Sequence, residues 1–179
     1  GSFSLNELRV TVATPPLEPL PARVFPGPSD QAIVVAHNVC GIVRLGRKAS
    51  TTLEPFSSKG FQPPSAVTHA GYHREHKILS VGCEDGTVFL LEASKGRVLY
   101  QIDSSGGPVS GFVMATKLRL GIVSTAGGHL VFWDLLTGKQ LERFVAHQGG
   151  VKQLAINANG RNLITSGADG QIRFWETSW

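Results

Sequence analysis

The sequence predicts an all-β repeat fold of about four antiparallel sheets, each of about four short strands. Three observations predict it. The first is a fixed spacing of turns: Asp169-Gly170 falls on Gly127-Gly128 and then on Asp85-Gly86, 42 residues apart each time (169 − 127 = 42; 127 − 85 = 42). The second is that other marker types keep this offset. Trp175 falls on Trp133 and Leu91, Val151 on Val109 and Val67, Gly138 on Gly96, and Leu141 on Leu99. The third is glycine, at 21 of 179 residues, which suits a chain with many turns. A period of this size holds four strands of ordinary length with their connections.

The last repeat, residues 146–179, is the clearest. Val151 to Ile156 alternates as a strand should, and Asn157-Ala158-Asn159-Gly160 is a cluster of turn formers. A second strand spans Asn162 to Gly167. Asp169-Gly170 then offers a tight hairpin, since both residues tolerate positive φ. A third strand, Gln171 to Glu176, contains Phe174-Trp175. With His147 before the first strand, this meander resembles the WD-repeat β-propeller family. The resemblance implies about four blades of a partial or incomplete ring, since the family usually closes about seven. It also implies a buried hydrogen-bonded set of His147, Thr165 or Ser166, Asp169 and Trp175. Glu176 replaces the Asp that usually follows the Trp.

Residues 1–31 are expected to hold an N-terminal strand, Leu8 to Val12, and then a proline-rich segment, Thr14 to Asp30, that is no central strand. Pro16-Leu17-Glu18-Pro19 matches P-x-x-P, a weak pattern that reads first as a loop. Residues 32–64 read as a degenerate blade: a hairpin of Ala32–Ala36 and Cys40–Leu45 about His37-Asn38, then an outer strand, Ala49 to Glu54. Residues 65–103 form a blade with strands Val67–Tyr72, Ile78–Cys83, Thr87–Leu91 and Arg97–Ile102. It keeps Asp85 but has Leu91 for the Trp and Pro63 for the loop His. Residues 104–145 form a blade with Trp133-Asp134, but Gly127 stands for the turn Asp and Ser105 for the loop His. The last blade lacks an outer strand of its own sequence. The resemblance implies one supplied from the N-terminus, for which Leu8–Val12 is the candidate.

Net charge is +4, with 17 basic against 13 acidic residues, and the charges are scattered. Without an aromatic-basic array, a solvated basic surface is favoured over a nucleic-acid site. Cys40 and Cys83 fall in different blades and read as buried free thiols of a reducing compartment. No apolar run reaches the roughly 18 residues of a membrane span, and no signal-peptide pattern opens the chain. An intracellular protein is expected; cytoplasm, nucleus and cilium are not distinguished.

Chemistry is mostly excluded. His69, His73 and His76 would suit a metal on a helix, but here His69 falls on a strand and the others in the next turn, with the rings expected to point apart. No G-x-S-x-G, Walker loop or C-x-x-C occurs, and no helix follows the glycine pairs. His147, Ser166 and Asp169 have the residue types of a hydrolytic triad, yet burial and mutual bonding would deny substrate access. No catalytic residue, cofactor or metal is therefore assigned.

The resemblance implies a non-catalytic scaffold for other proteins, a subunit of a multiprotein complex. Its partner-facing loops would be Glu84, Asp85, Ser105, Gly107, Gly128, His129, Gln148, Gly149 and Ala168. The alternative is an RNA or ribonucleoprotein-binding propeller; a hydrolase or metal enzyme is disfavoured. The expected partners are other proteins or further blades of the same protein, with nucleic acid weakly supported and no membrane.

Overall fold

The computed structural model describes residues 23–27, 31–36, 39–44, 53–56, 61–115, 119–157 and 159–176. They form four antiparallel sheets, each built from strands consecutive in sequence. The first has β1 (Arg23–Pro26), β2 (Gln31–Ala36), β3 (Val39–Arg44) and β4 (Leu53–Pro55). The second has β5 (Val67–His73), β6 (Ile78–Cys83), β7 (Thr87–Glu92) and β8 (Arg97–Asp103). The third has β9 (Val109–Ala115), β10 (Leu120–Thr125), β11 (His129–Asp134) and β12 (Lys139–Val145). The fourth has only β13 (Val151–Ile156), β14 (Asn162–Gly167) and β15 (Ile172–Glu176).

Strand alternation builds the stack. In β7, Phe89 and Leu91 join a core with Ile33, Val35, Cys40 and Ile42 of the first sheet. Val88 and Leu90 point the other way, into a core with Val109, Phe112, Val123 and Val131 of the third. In β10 and β11, Ile122, Leu130 and Phe132 turn towards Val151 and Leu163 of the fourth. The middle sheets are thus buried on both faces, so their strands read as continuous apolar runs. The fourth sheet has one buried face: in β14, Leu163 and Thr165 are buried while Asn162 and Ile164 are exposed.

Among the described residues there are three apolar cores for four sheets, and none joins the fourth sheet to the first. Ile172 (66 % exposed) and Phe174 (77 %) stand on the free face of the last sheet, and Val24 (65 %) on β1. Phe174 pairs across the ladder with Ile164. Trp175 is on the other side, packed with Phe144 at a ring separation of 5.1 Å.

One element departs from its sequence reading. β1 lies inside the proline-rich segment expected to be a loop. Among the described residues it pairs with β2 alone, as an edge strand, and Pro26 sits at its end. Leu8–Val12, with the proposal that it completes the last blade, lies outside the described residues. So do His37-Asn38 and most of the expected outer strand Ala49–Glu54, of which Leu53 and Glu54 are in β4.

Candidate functional site

Two features converge at one end of the stack: a buried polar set in the last blade and a continuous row of loops. The polar set is a directed chain of donors. The Trp175 indole N–H donates to Thr165 Oγ1 at 2.9 Å. An indole can only donate, so the Thr165 oxygen accepts and its own proton is left for His147 Nε2, 2.8 Å away. In the neutral imidazole, Nδ1–H then donates to Asp169 Oδ1 at 2.9 Å. Asp169 Oδ1 also accepts the Gln171 amide at 3.1 Å.

Position in the strands explains the set. Thr165 pairs with Arg173 and Leu163 with Trp175, so the indole lies diagonally across from the hydroxyl on the buried face. His147 is fully buried against Gly167, where any β-carbon would meet its ring. The Asp169 carboxyl is 13 % exposed. Burial pushes its pKa up, but the hydrogen bonds from His147, Gln171 and Gln148 and the His147 ring outweigh that, holding it below the usual aspartate value.

The sequence left Thr165 and Ser166 as alternatives for the hydroxyl. Thr165 holds the place; Ser166, one residue on, faces away, as the two-residue period of a strand requires. Sequence reasoning missed Arg173. Its guanidinium reaches Asp169 Oδ2 at 3.3 Å and donates to the Ala146 carbonyl, tying the hairpin to the loop below it. Its spacing from Asp169, four residues along one hairpin, is the only signal the sequence carries for it.

The same positions in the third blade are depleted. Val123 stands for Thr165 (165 − 123 = 42), Gly127 for Asp169 and Ser105 for His147. The Trp133 indole N–H is buried there with no partner. In the second blade Leu91 removes the indole itself, and Asp85 Oδ1 accepts only the Thr87 amide at 2.9 Å among the described residues.

The loops expected to face partners do pack together at this end. The Ser104 hydroxyl donates to the Gly86 carbonyl at 2.7 Å. Ala146 and His147 amides reach the Gly128 carbonyl at 2.8 and 3.1 Å, and the Ala168 amide reaches Gly150 at 2.9 Å. Each interblade loop is therefore fastened to a hairpin turn of an adjoining blade. Glu84, Asp85, Ser105, Gln148, Gly149 and Ala168 are exposed, while Gly107 and His129 are half-buried. Gly128 is buried, contrary to its expected exposure: at φ +89° its backbone lies so close to the His147 carbonyl that a β-carbon has no room.

A cavity of about 490 Å³ touches all four sheets, through Arg23, His69, Ser110 and Lys152, and runs onto Ile164 and Ile172 of the last sheet. His69 and His73 flank Gly71 on one face of β5, correcting the expectation that all three histidine rings diverge. Four residues along a strand restore the same face. His73 Nε2 lies 3.2 Å from the Ser80 hydroxyl. His76 is apart in the turn, and no group of three metal-ligating side chains occurs among the described residues. Burial, then the Arg23 and His73 charges, push the His69 pKa down to about 4.

Cys40 and Cys83 are buried free thiols in one core. Burial raises both, Cys40 to about 12 and Cys83 to about 11. No described helix is long and apolar enough to cross a membrane.

Comparison with known proteins follows the same lines. The family described as "WD domain, G-beta repeat" matches residues 138–176. Human striatin-3 is 30 % identical over 117 residues, covering 63 % of this chain. Mouse WD repeat-containing protein 46 is 25 % identical over 112 residues, covering 62 %. The chain spans only 15 % and 18 % of the lengths of these two relatives. Among solved structures, the computationally designed Ika4 protein superimposes with a TM-score of 0.69 at 18 % identity, covering 91 % of this chain and 96 % of that one. At that identity the likeness concerns the fold alone. With the repeat period, the four sheets and these relatives in agreement, the chain carries a WD repeat over residues 138–176 and is similar to the WD-repeat β-propeller proteins.

Proposed function

We propose that the chain is a non-catalytic scaffold that binds other proteins through the loop end of its blades, as a subunit of an intracellular multiprotein complex. The observation that carries this reading is the fastening of the loops to one another. Glu84, Asp85, Ser105, Gln148 and Ala168 form an exposed row whose backbones are held by hydrogen bonds from Gly86 through to Gly150. A surface fixed before binding loses little conformational freedom on binding. The polar set of the last blade supports this role: all its groups are bonded to one another, and His147 is sealed from solvent. The two free thiols suit a reducing interior.

The test is capture of cellular partners by the chain and by a variant with Asp85, Gln148 and His129 each changed to alanine. Capture of defined proteins that survives ribonuclease and is lost in the variant supports the scaffold. Material that disappears with ribonuclease and falls steeply with salt instead supports the RNA-binding alternative. The free faces at Val24 and Phe174 call for a second kind of partner, further blades of the same protein or another chain.

A further inference from the structure

The inner strands share an irregularity that the loop face does not explain. In β5, β9 and β13 the ladder slips at the same repeat position. Val67 and His69 pair with adjacent residues of β6, as do Val109 and Gly111 with β10 and Val151 and Gln153 with β14. The extra residues are Thr68, Ser110 and Lys152, spaced by 42 (110 − 68 = 42; 152 − 110 = 42). Such bulges re-aim a side chain out of the sheet. Thr68 uses its hydroxyl on the Val109 carbonyl at 2.7 Å, and Ser110 bonds Ser124 at 2.9 Å. Lys152 is exposed and has no carboxylate partner among the described residues.

Lys152 lies on the wall of the cavity of about 490 Å³, and so does Arg23 on β1. Arg23 donates only to the Ala70 carbonyl, at 3.4 Å, among the described residues. No Asp or Glu is among the described residues that line the cavity, and part of its wall is apolar, including Leu154, Ile164 and Ile172. Its volume, about 490 Å³, falls within the range of ligand sites. Among the described residues, two cations without a carboxylate partner thus share a cavity that has apolar walls and no negative charge.

We propose that this cavity receives an acidic segment of a partner protein, with a carboxylate held between Arg23 and Lys152 and apolar side chains of the segment lying on Leu154, Ile164 and Ile172. This rests on the scaffold reading and names the chemistry of one partner contact. Arg23 supplies a planar fork suited to a carboxylate, and Lys152 a point charge. An isolated small anion would satisfy the charges but leave the apolar wall uncovered.

The test uses fluorescence anisotropy of a labelled peptide alternating leucine and glutamate, with a leucine–glutamine counterpart, on the 179-residue chain. The glutamate peptide is expected to bind about tenfold or more tightly than the counterpart, and the Arg23→Ala, Lys152→Ala double variant to lose that advantage, as removal of charge-assisted hydrogen bonds requires. Arg143→Ala, an exposed change on β12, is expected to bind as the unaltered chain does. Arg23→Glu with Lys152→Glu should turn the preference towards a leucine–lysine peptide, a gain that misfolding cannot produce. Equal binding of the two peptides, or unchanged binding by the double variant, overturns the proposal. So does inorganic phosphate that binds as tightly as the glutamate peptide, which would make this a small-anion site. Cellular partners still captured by the double variant would leave the scaffold standing while this assignment falls. Partners lost only when Asp85, Gln148 and His129 are changed, with peptide binding intact, would separate the two in the other direction.

Discussion

Trp133 and Trp175 occupy the same place in successive blades, yet only one has an acceptor for its indole N–H. Trp175 donates to Thr165; Trp133 is half-buried beside Val123, with its buried nitrogen unpaired among the described residues. An unpaired buried donor costs about 1–3 kcal/mol, so the third blade carries a defect that its neighbour lacks.

Val123→Thr should repair it. The new hydroxyl would stand where Thr165 stands in the last blade, one position diagonal to the indole. The expected result is an unchanged or higher unfolding midpoint together with slower exchange of the Trp133 indole proton. An indole proton that exchanges as fast as before would show that no bond had formed.

The converse change is Thr165→Val, which removes the group shared by Trp175 and His147. It leaves a buried nitrogen on each, at about 1–3 kcal/mol apiece. For a chain of this length each kcal/mol lowers the midpoint by about 2–4 °C in a thermal melt. A melt indistinguishable from that of the unaltered chain would mean the polar set contributes nothing.

Asp169→Ala should lower the midpoint more than Asp85→Ala. Asp169 bonds His147, Gln171 and Arg173, whereas Asp85 is an exposed turn residue holding the Thr87 amide. Equal shifts in side-by-side melts would sink the distinction between the two turns.

Acid should destabilise the chain through His69. Its pKa is about 4 in the fold against an ordinary 6.5. Between those values the unfolded chain binds a proton that the native chain refuses, so stability falls as pH falls through this window and is untouched above it. His73, also lowered chiefly by burial, acts in the same direction. Denaturant midpoints measured across the window should decline less steeply for His69→Gln; parallel curves for the two proteins would contradict the assignment.

The free face of the last sheet should make the chain associate. Changing Ile172 and Phe174 to lysine is expected to lower the mass seen by light scattering without lowering the melting midpoint, because neither side chain supports the buried face. A chain that is already a monomer at every concentration tested would speak against an uncovered apolar face.

Much of this was legible in the residues. The strands of the last three blades follow from Asp85-Gly86, Gly127-Gly128 and Asp169-Gly170, since those turns fix hairpin register and the period carries it along the chain. β1 was not legible, because Pro26 and its neighbouring prolines mask a strand that needs only one side of its backbone. Thr165 and Ser166 could not be separated by type, as both carry a hydroxyl; the face each takes depends on pairing with β15. The cavity was hidden for another reason. Arg23, His69 and Lys152 lie in different sheets, and the slips that aim Lys152 inward are properties of the ladder.

Among the described residues, every hydrogen-bonded strand pair joins strands that follow one another directly along the chain. For these pairs the loop-closure cost is met in short steps, which favours rapid folding. A chain emerging from the ribosome can zip each sheet as its strands appear and lay it on the one before. The order of synthesis is then also the order of assembly.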